Sequence, residues 1–297
     1  MKYIKYPTTE AWATLTTRPV FDNDDLQKTV RIIFDEIRQR GDKILRKYTE
    51  IFDRVKIENL NVSKVEFEEA EKLISNELKA AIQLAKCNIA KFHSAQVEAV
   101  QMIETTPGVV CWRENRPIEK VGIYIPGGSA PLFSTVLMLG IPAKIAGCTQ
   151  IVLCTPPNKQ SKINPAILYA AQLVGITEVF KVGGIQAIGA LTFGTESVPA
   201  VYKIFGPGNQ FVTAAKQAAQ NYGVAIDMPA GPSEVLVIAD QTAVPEFVAA
   251  DLLSQAEHGA DSQVLLLTDN EEFIAKTNEA LQLQLIALPR KEIAEKA

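Results

Sequence analysis

Apolar positions recur at helical spacing through the first third of the chain. Over residues 22–53, Val30, Ile33, Phe34 and Ile37 form one stripe, with Asp22 or Asn23 able to cap it. Gly41 breaks that stripe before a second segment, Lys43–Phe52. Residues 64–103 read as mostly helical: Ser63 with Glu66 is a start signal, and Leu73, Ile74, Leu78, Ile82, Ala85 and Ile89 follow on one face. The texture changes near Val109. Val109–Glu114 and Lys120–Ile125 read as strands around an Asn115-Arg116-Pro117 turn. Short β-branched runs then alternate with helical ones: Ile151–Cys154, Pro165–Leu173, Val179–Val182, Ile185–Leu191, Val201–Ile204 and Gln210–Asn221. Glu234–Ala239, Pro245–His258, Gln263–Thr268 and Asn270–Leu285 continue the alternation as strand, helix, strand and helix. That order predicts βαβ units and a mostly parallel sheet.

Composition narrows the picture. A chain of 297 residues with 47% hydrophobic and 22% charged content has room for two lobes. A net charge of −4 and the lack of a dense basic run give no support for nucleic-acid binding. The N-terminus has no apolar signal core, and Lys144 interrupts the longest apolar stretch short of the roughly 18 residues of a membrane span. No membrane partner is expected, and a cytoplasmic location is. Cys87, Cys111, Cys148 and Cys154 form no C-x-x-C pair, so reduced thiols are expected. Cys111, in the run Val109–Trp112, is read as a small buried hydrophobe; the competing reading is an aldehyde-trapping nucleophile. His93 is read as a surface or structural histidine.

Candidate chemistry concentrates in loops after strands. Ile125-Pro126-Gly127-Gly128-Ser129-Ala130-Pro131, Val182-Gly183-Gly184-Ile185-Gln186 and Phe205-Gly206-Pro207-Gly208-Asn209 each join a strand to a helical run, and Ala230-Gly231-Pro232-Ser233 precedes another strand. Glycines there let a ligand approach the backbone, and a helix start can receive phosphate, so a nucleotide is the first expectation. No G-x-G-x-x-G is present. Tyr124, Gln186, Asn209 and Ser233 can each orient a ligand, or equally serve a strand pair, a cap or a turn. In Asp251–Gly259, Gln255 and His258 are three apart, which on a helix puts both on one face within reach of one ion. A histidine near a helix C-terminus is also favourable without any metal.

Together Val121–Leu132, Gly183–Ile188, Gly206–Asn209, Gly231–Glu234 and Asp251–Gly259 resemble the histidinol dehydrogenase family in order and spacing. The resemblance implies an α/β fold of two Rossmann-like, aldehyde dehydrogenase-like parallel-sheet domains with an N-terminal helical region. It implies a zinc-dependent homodimer that oxidises L-histidinol through the aldehyde to L-histidine with two NAD⁺, in histidine biosynthesis. Tyr124, Gln186 and Asn209 would contact NAD, Ser233 the substrate, and Gln255 and His258 both zinc and substrate. Residues 1–122 with 234–297 would form one domain and 123–233 an inserted NAD-binding domain, the sites falling between them. The family's Pro-Glu-His-Leu segment, with its glutamate and histidine acid/base pair, has no counterpart here, nor do its aspartate zinc ligand and the histidine ligand given by the partner subunit. A helix begins near Pro289 and has no stop signal, so a C-terminally truncated chain without catalytic residues of its own is the expectation. A non-catalytic nucleotide-binding fragment and a Cys111-dependent aldehyde dehydrogenase-type enzyme stay open as alternatives.

Overall fold

The structure, a computed structural model, describes residues 2–17, 24–127, 131–229, 233–260 and 262–297. The helices in chain order are α1 (Thr9–Leu15), α2 (Asp24–Arg40), α3 (Asp42–Tyr48), α4 (Lys64–Leu73), α5 (Asn76–Ser94), α6 (Phe133–Ala146), α7 (Pro165–Leu173), α8 (Gly184–Phe193), α9 (Gln210–Gln220), α10 (Pro245–Ala256), α11 (Glu271–Ala287) and α12 (Lys291–Ala294). A π-helical turn, Thr49–Asp53, follows α3. The strands are β1 (Met102–Thr106), β2 (Val109–Trp112), β3 (Lys120–Tyr124), β4 (Gln150–Thr155), β5 (Glu178–Lys181), β6 (Lys203–Phe205), β7 (Ala225–Ile226), β8 (Glu234–Ile238) and β9 (Gln263–Leu267). The chain divides into two compact units, Asp22–Ala230 and Met1–Phe21 with Gly231–Ala297. The domain boundary expected at 122/123 would cut β3, and α2 to α5 pack in the larger unit with the helices that follow them.

In the larger unit five parallel strands run in the order β5-β4-β3-β6-β7. Alternate residues of β3 and β4 feed two cores. Tyr124, Val152 and Cys154 join the core made with α2, α3, α8 and α9, and Val121, Ile123, Ile151 and Leu153 join the core made with α4 to α7. This is the period-two consequence of a sheet buried on both faces. The α2 stripe is as the spacing predicts: Val30, Ile33, Phe34 and Ile37 are each at most 2% exposed. Each such side chain contributes about 1.5–3 kcal/mol by leaving water.

Local signals set several boundaries. Gly41 stops α2 with a φ of +49°, where a Cβ would collide with the Glu196 carboxylate. The Asp42 carboxylate then accepts from Thr195 Oγ1 at 2.7 Å and from Ser197 Oγ at 2.5 Å, tying α3 to the loop after α8. Ser63 and Glu66 close a reciprocal capping box on α4, as their spacing predicts. The Asp22 or Asn23 cap lies outside the described residues.

Three expectations change. Residues 95–101 leave the helix, and β1 pairs antiparallel with β2 around Pro107-Gly108, so β2 is not paired with β3. Both hairpin strands are exposed along their length, and Cys111 is exposed with them instead of buried. The segment expected as a helix to Phe52 ends in the π turn, and Arg54 beyond it takes a left-handed φ of +57°. In the smaller unit β8 and β9 form a two-stranded parallel sheet joined through α10. No helix of the described residues is long and apolar enough to cross a membrane.

Candidate functional site

The strand order places a switch point between β3 and β6. From β3 the chain steps outward through β4 to β5, then returns to β6 and β7 on the other side. Ligands of open parallel sheets bind outside such a point, where adjacent loops diverge. Tyr124 ends β3, and Gly206 to Asn209 follow β6. Gly206 has a φ of +132°, and a Cβ there would collide with the Tyr124 carbonyl oxygen. Only glycine lets the two strand ends approach this closely.

That loop is clamped by charge. The Gly206 N–H donates to Asp227 Oδ2 at 2.7 Å, and Lys216 Nζ donates to the Gly206 carbonyl at 2.7 Å. Lys216 also pairs with Asp227 and is 3% exposed. Neither residue belongs to a sequence motif; their signal is only the spacing from Gly206. Asn209 caps α9, its Oδ1 accepting from the N–H groups of Phe211 and Val212, each at 3.1 Å. The capping reading therefore holds for its carbonyl, and the side-chain NH₂ has two further hydrogens that the cap does not use.

Tyr124 is 3% exposed, and its hydroxyl accepts the Gly184 N–H at 3.1 Å. Burial, with a smaller push from the Asp53 charge, raises its pKa and keeps the phenol neutral. Gly184 opens α8 at a φ of +60°. Gln186 sits in the first turn of α8, 0% exposed, and neither its Oε1 nor its Nε2 has a hydrogen-bond partner among the described residues. A buried amide with nothing bonded is rare and calls for a polar partner. Oε1 lies 3.0 Å from the position a Cβ on Gly184 would take, so the amide sits against the loop that meets Tyr124. Pro156, just after β4, packs where Cβ atoms of Gly127 and Gly183 would stand, so it fits between the loops after β3 and β5. Gly128 to Ala130 lie outside the described residues.

The larger unit thus gathers Tyr124, Gly184 and Gln186 in one place and sets Asn209 at the switch point. The remaining candidates belong to the smaller unit. Ser233 is half-buried before β8, its carbonyl accepting the Gln263 N–H at 2.9 Å. Gln255 is half-buried in the last turn of α10, which ends at Ala256 rather than His258. His258 is exposed in the turn beyond, its N–H donating to the Gln255 carbonyl at 3.1 Å. The shared helical face expected from spacing is thus replaced by a turn that holds the two residues together. An amide oxygen and an imidazole suit zinc, but they are two donors of the usual four. Among the described residues no group of three or more His, Cys, Asp or Glu gathers to hold a metal. His93 is half-buried, with Nδ1 2.9 Å from Gln96 Oε1, in keeping with its structural reading.

The family pattern described as histidinol dehydrogenase matches residues 16–297. Histidinol dehydrogenase of Bacteroides thetaiotaomicron is 59% identical over 297 residues, which is 100% of this chain and 69% of that protein. The chain belongs to the histidinol dehydrogenase family. The Salmonella typhimurium histidinol dehydrogenase is 55% identical, over 97% of this chain and 66% of that one. The crystal structure of histidinol dehydrogenase from Elizabethkingia anophelis superposes with a TM-score of 0.94 at 62% identity, covering 98% of this chain and 67% of that chain. The α/β fold with parallel sheets is therefore that of the histidinol dehydrogenases.

Proposed function

We propose that the protein takes part in the NAD-dependent, zinc-dependent oxidation of L-histidinol through the aldehyde to L-histidine, as one subunit of a homodimer. Family membership supports the substrate and the oxidoreductase class. The observation that carries the NAD reading is the buried Gln186 amide, unbonded in the first turn of α8 beside the Tyr124–Gly184 hydrogen bond. The dinucleotide would accept a hydride at each of the two oxidations, and zinc would anchor the imidazole and amine of histidinol as a Lewis acid.

The chain's own residues then have the following parts. The glycines at 183, 184 and 206 admit a phosphate-bearing ligand to the backbone. The Tyr124 hydroxyl, fixed by Gly184, presents its own hydrogen to the ligand. Asn209 offers its NH₂ from the α9 cap. In the other unit Ser233 orients substrate, and Gln255 and His258 are two zinc ligands. The sequence holds only two histidines, and His93 is engaged with Gln96. The general base and the remaining zinc ligands are accordingly proposed to come from outside these residues.

Zinc content and turnover test this reading. His258→Ala should lower zinc affinity at least tenfold, and undiminished zinc would contradict the ligand assignment. NADH formation from histidinol by the 297-residue chain should lie far below that of the Bacteroides thetaiotaomicron relative. Equal turnover would show that the base is within the chain.

A further inference from the structure

The charged pair at Gly206 draws on two elements. Lys216 lies near the middle of α9, and Asp227 follows β7 directly. The Asp227 N–H donates to the Ile204 carbonyl at 3.2 Å, which seats its carboxylate beside β6. Together the two side chains take both polar groups of one buried residue: Asp227 accepts the Gly206 N–H, and Lys216 donates to the Gly206 carbonyl. A largely buried ion pair is a weak source of stability, since apolar side chains of similar volume serve as well or better. What this pair supplies is direction. Gly206 and Gly208 flank Pro207, and glycine has the widest choice of backbone angles, so the loop would wander without a tether. Its far end is already fixed: Asn209 caps α9, and Gly208 lies so close to Val212 that a Cβ would collide with it. Lys216 sits in the same helix, and helical side chains lean toward the N-terminus, so it ties the start of the loop to the helix that holds its end.

We infer that Lys216 and Asp227 are positioning residues of the dinucleotide site: they hold the Gly206–Asn209 loop in the form that presents the Asn209 NH₂ at the switch point. This rests on the NAD reading of Asn209 and adds two residues that act through the loop. The pair preorganises the site. An unclamped loop that keeps the binding form about a tenth of the time lowers NAD⁺ affinity about tenfold, because apparent affinity scales with the competent fraction.

Isothermal titration of the 297-residue chain with NAD⁺ tests the assignment, at a temperature where circular dichroism shows each variant folded. Lys216→Met should weaken binding by about tenfold or more. Ile82→Ala separates position from support. Ile82 is 1% exposed in the core on the other face of the sheet, so its truncation destabilises the same unit away from the loop. It should melt earlier than the wild type yet bind NAD⁺ within about twofold of it, a readout that a merely structural role for Lys216 would not give. Lys216→Met combined with Asp227→Leu strands no buried charge and should show the same loss of affinity if the single variant does not fold. NAD⁺ binding by the wild type, with Lys216→Met or the double variant within about twofold of it, would overturn the positioning role alone. Ile82→Ala weakening binding as much as Lys216→Met would also overturn it, since affinity would then follow stability. No NAD⁺ binding by the wild type would overturn the NAD reading of Asn209 and this inference with it.

Discussion

Asparagine at position 53 removes a charge while keeping the shape of the side chain, so its effect on stability reports what the carboxylate costs the unliganded fold. Burial raises the Asp53 carboxyl from its ordinary 3.8 to about 6. A group whose folded pKa lies above its unfolded one favours the folded state most below the unfolded value. That advantage is lost as pH rises through the folded value, because the unfolded chain then ionises more readily. Fully expressed, the difference costs about 3 kcal/mol at pH 7.5. Asp53 is half-buried, and solvent screening cuts this to about 1.5 kcal/mol. At about 2–4 °C per kcal/mol for a unit of this size, Asp53→Asn should raise the melting temperature by about 3–6 °C at pH 7.5. The gain should shrink steadily toward pH 4.5, where the wild-type carboxyl is protonated in the folded state. Differential scanning calorimetry of both proteins across that range is the assay. A variant no more stable than wild type at pH 7.5, or a gain that does not depend on pH, would refute the burial argument.

Other substitutions probe the strand ends. Gly206→Ala places a Cβ against the Tyr124 carbonyl at a φ of +132° and should cost at least about 2 kcal/mol in urea unfolding. Lys216→Met strands Asp227 and the Gly206 carbonyl without their cation; because Asp227 keeps some exposure, a loss of about 3 kcal/mol is expected by the same measurement. Cys111→Ala, on an exposed hairpin strand, should leave NAD⁺ affinity and the melting temperature within error of wild type; a large loss of either would revive a role for this thiol.

Much of the fold was legible because burial imposes its period on the sequence. Val30, Ile33, Phe34 and Ile37 face one core, and the strand-then-helix rhythm after residue 120 gave the parallel sheet. What was hidden lacked a burial pattern. The β1–β2 hairpin is exposed along both strands, so Met102–Thr106 shows no alternation to read, and only Pro107-Gly108 marks its turn. Strand β7 has two residues, too few to carry a period. Of the candidate site, the glycine loops were visible because close backbone approach demands glycine. Lys216 and Asp227 were not, since a lone charged residue reads as surface until the fold shows what surrounds it. His258 illustrates the limit of spacing: three residues from Gln255 reads as one helical face, but the helix stops at Ala256 and a turn supplies the proximity.

The central claim is that the dinucleotide binds at the strand ends of the unit Asp22–Ala230. Hydrogen–deuterium exchange with and without saturating NAD⁺ tests it most directly. The amides of residues 183–187 and 206–212 should gain protection together, while β1 and β2 exchange as before. Protection confined to other segments, or unchanged exchange at saturating NAD⁺, would contradict the account.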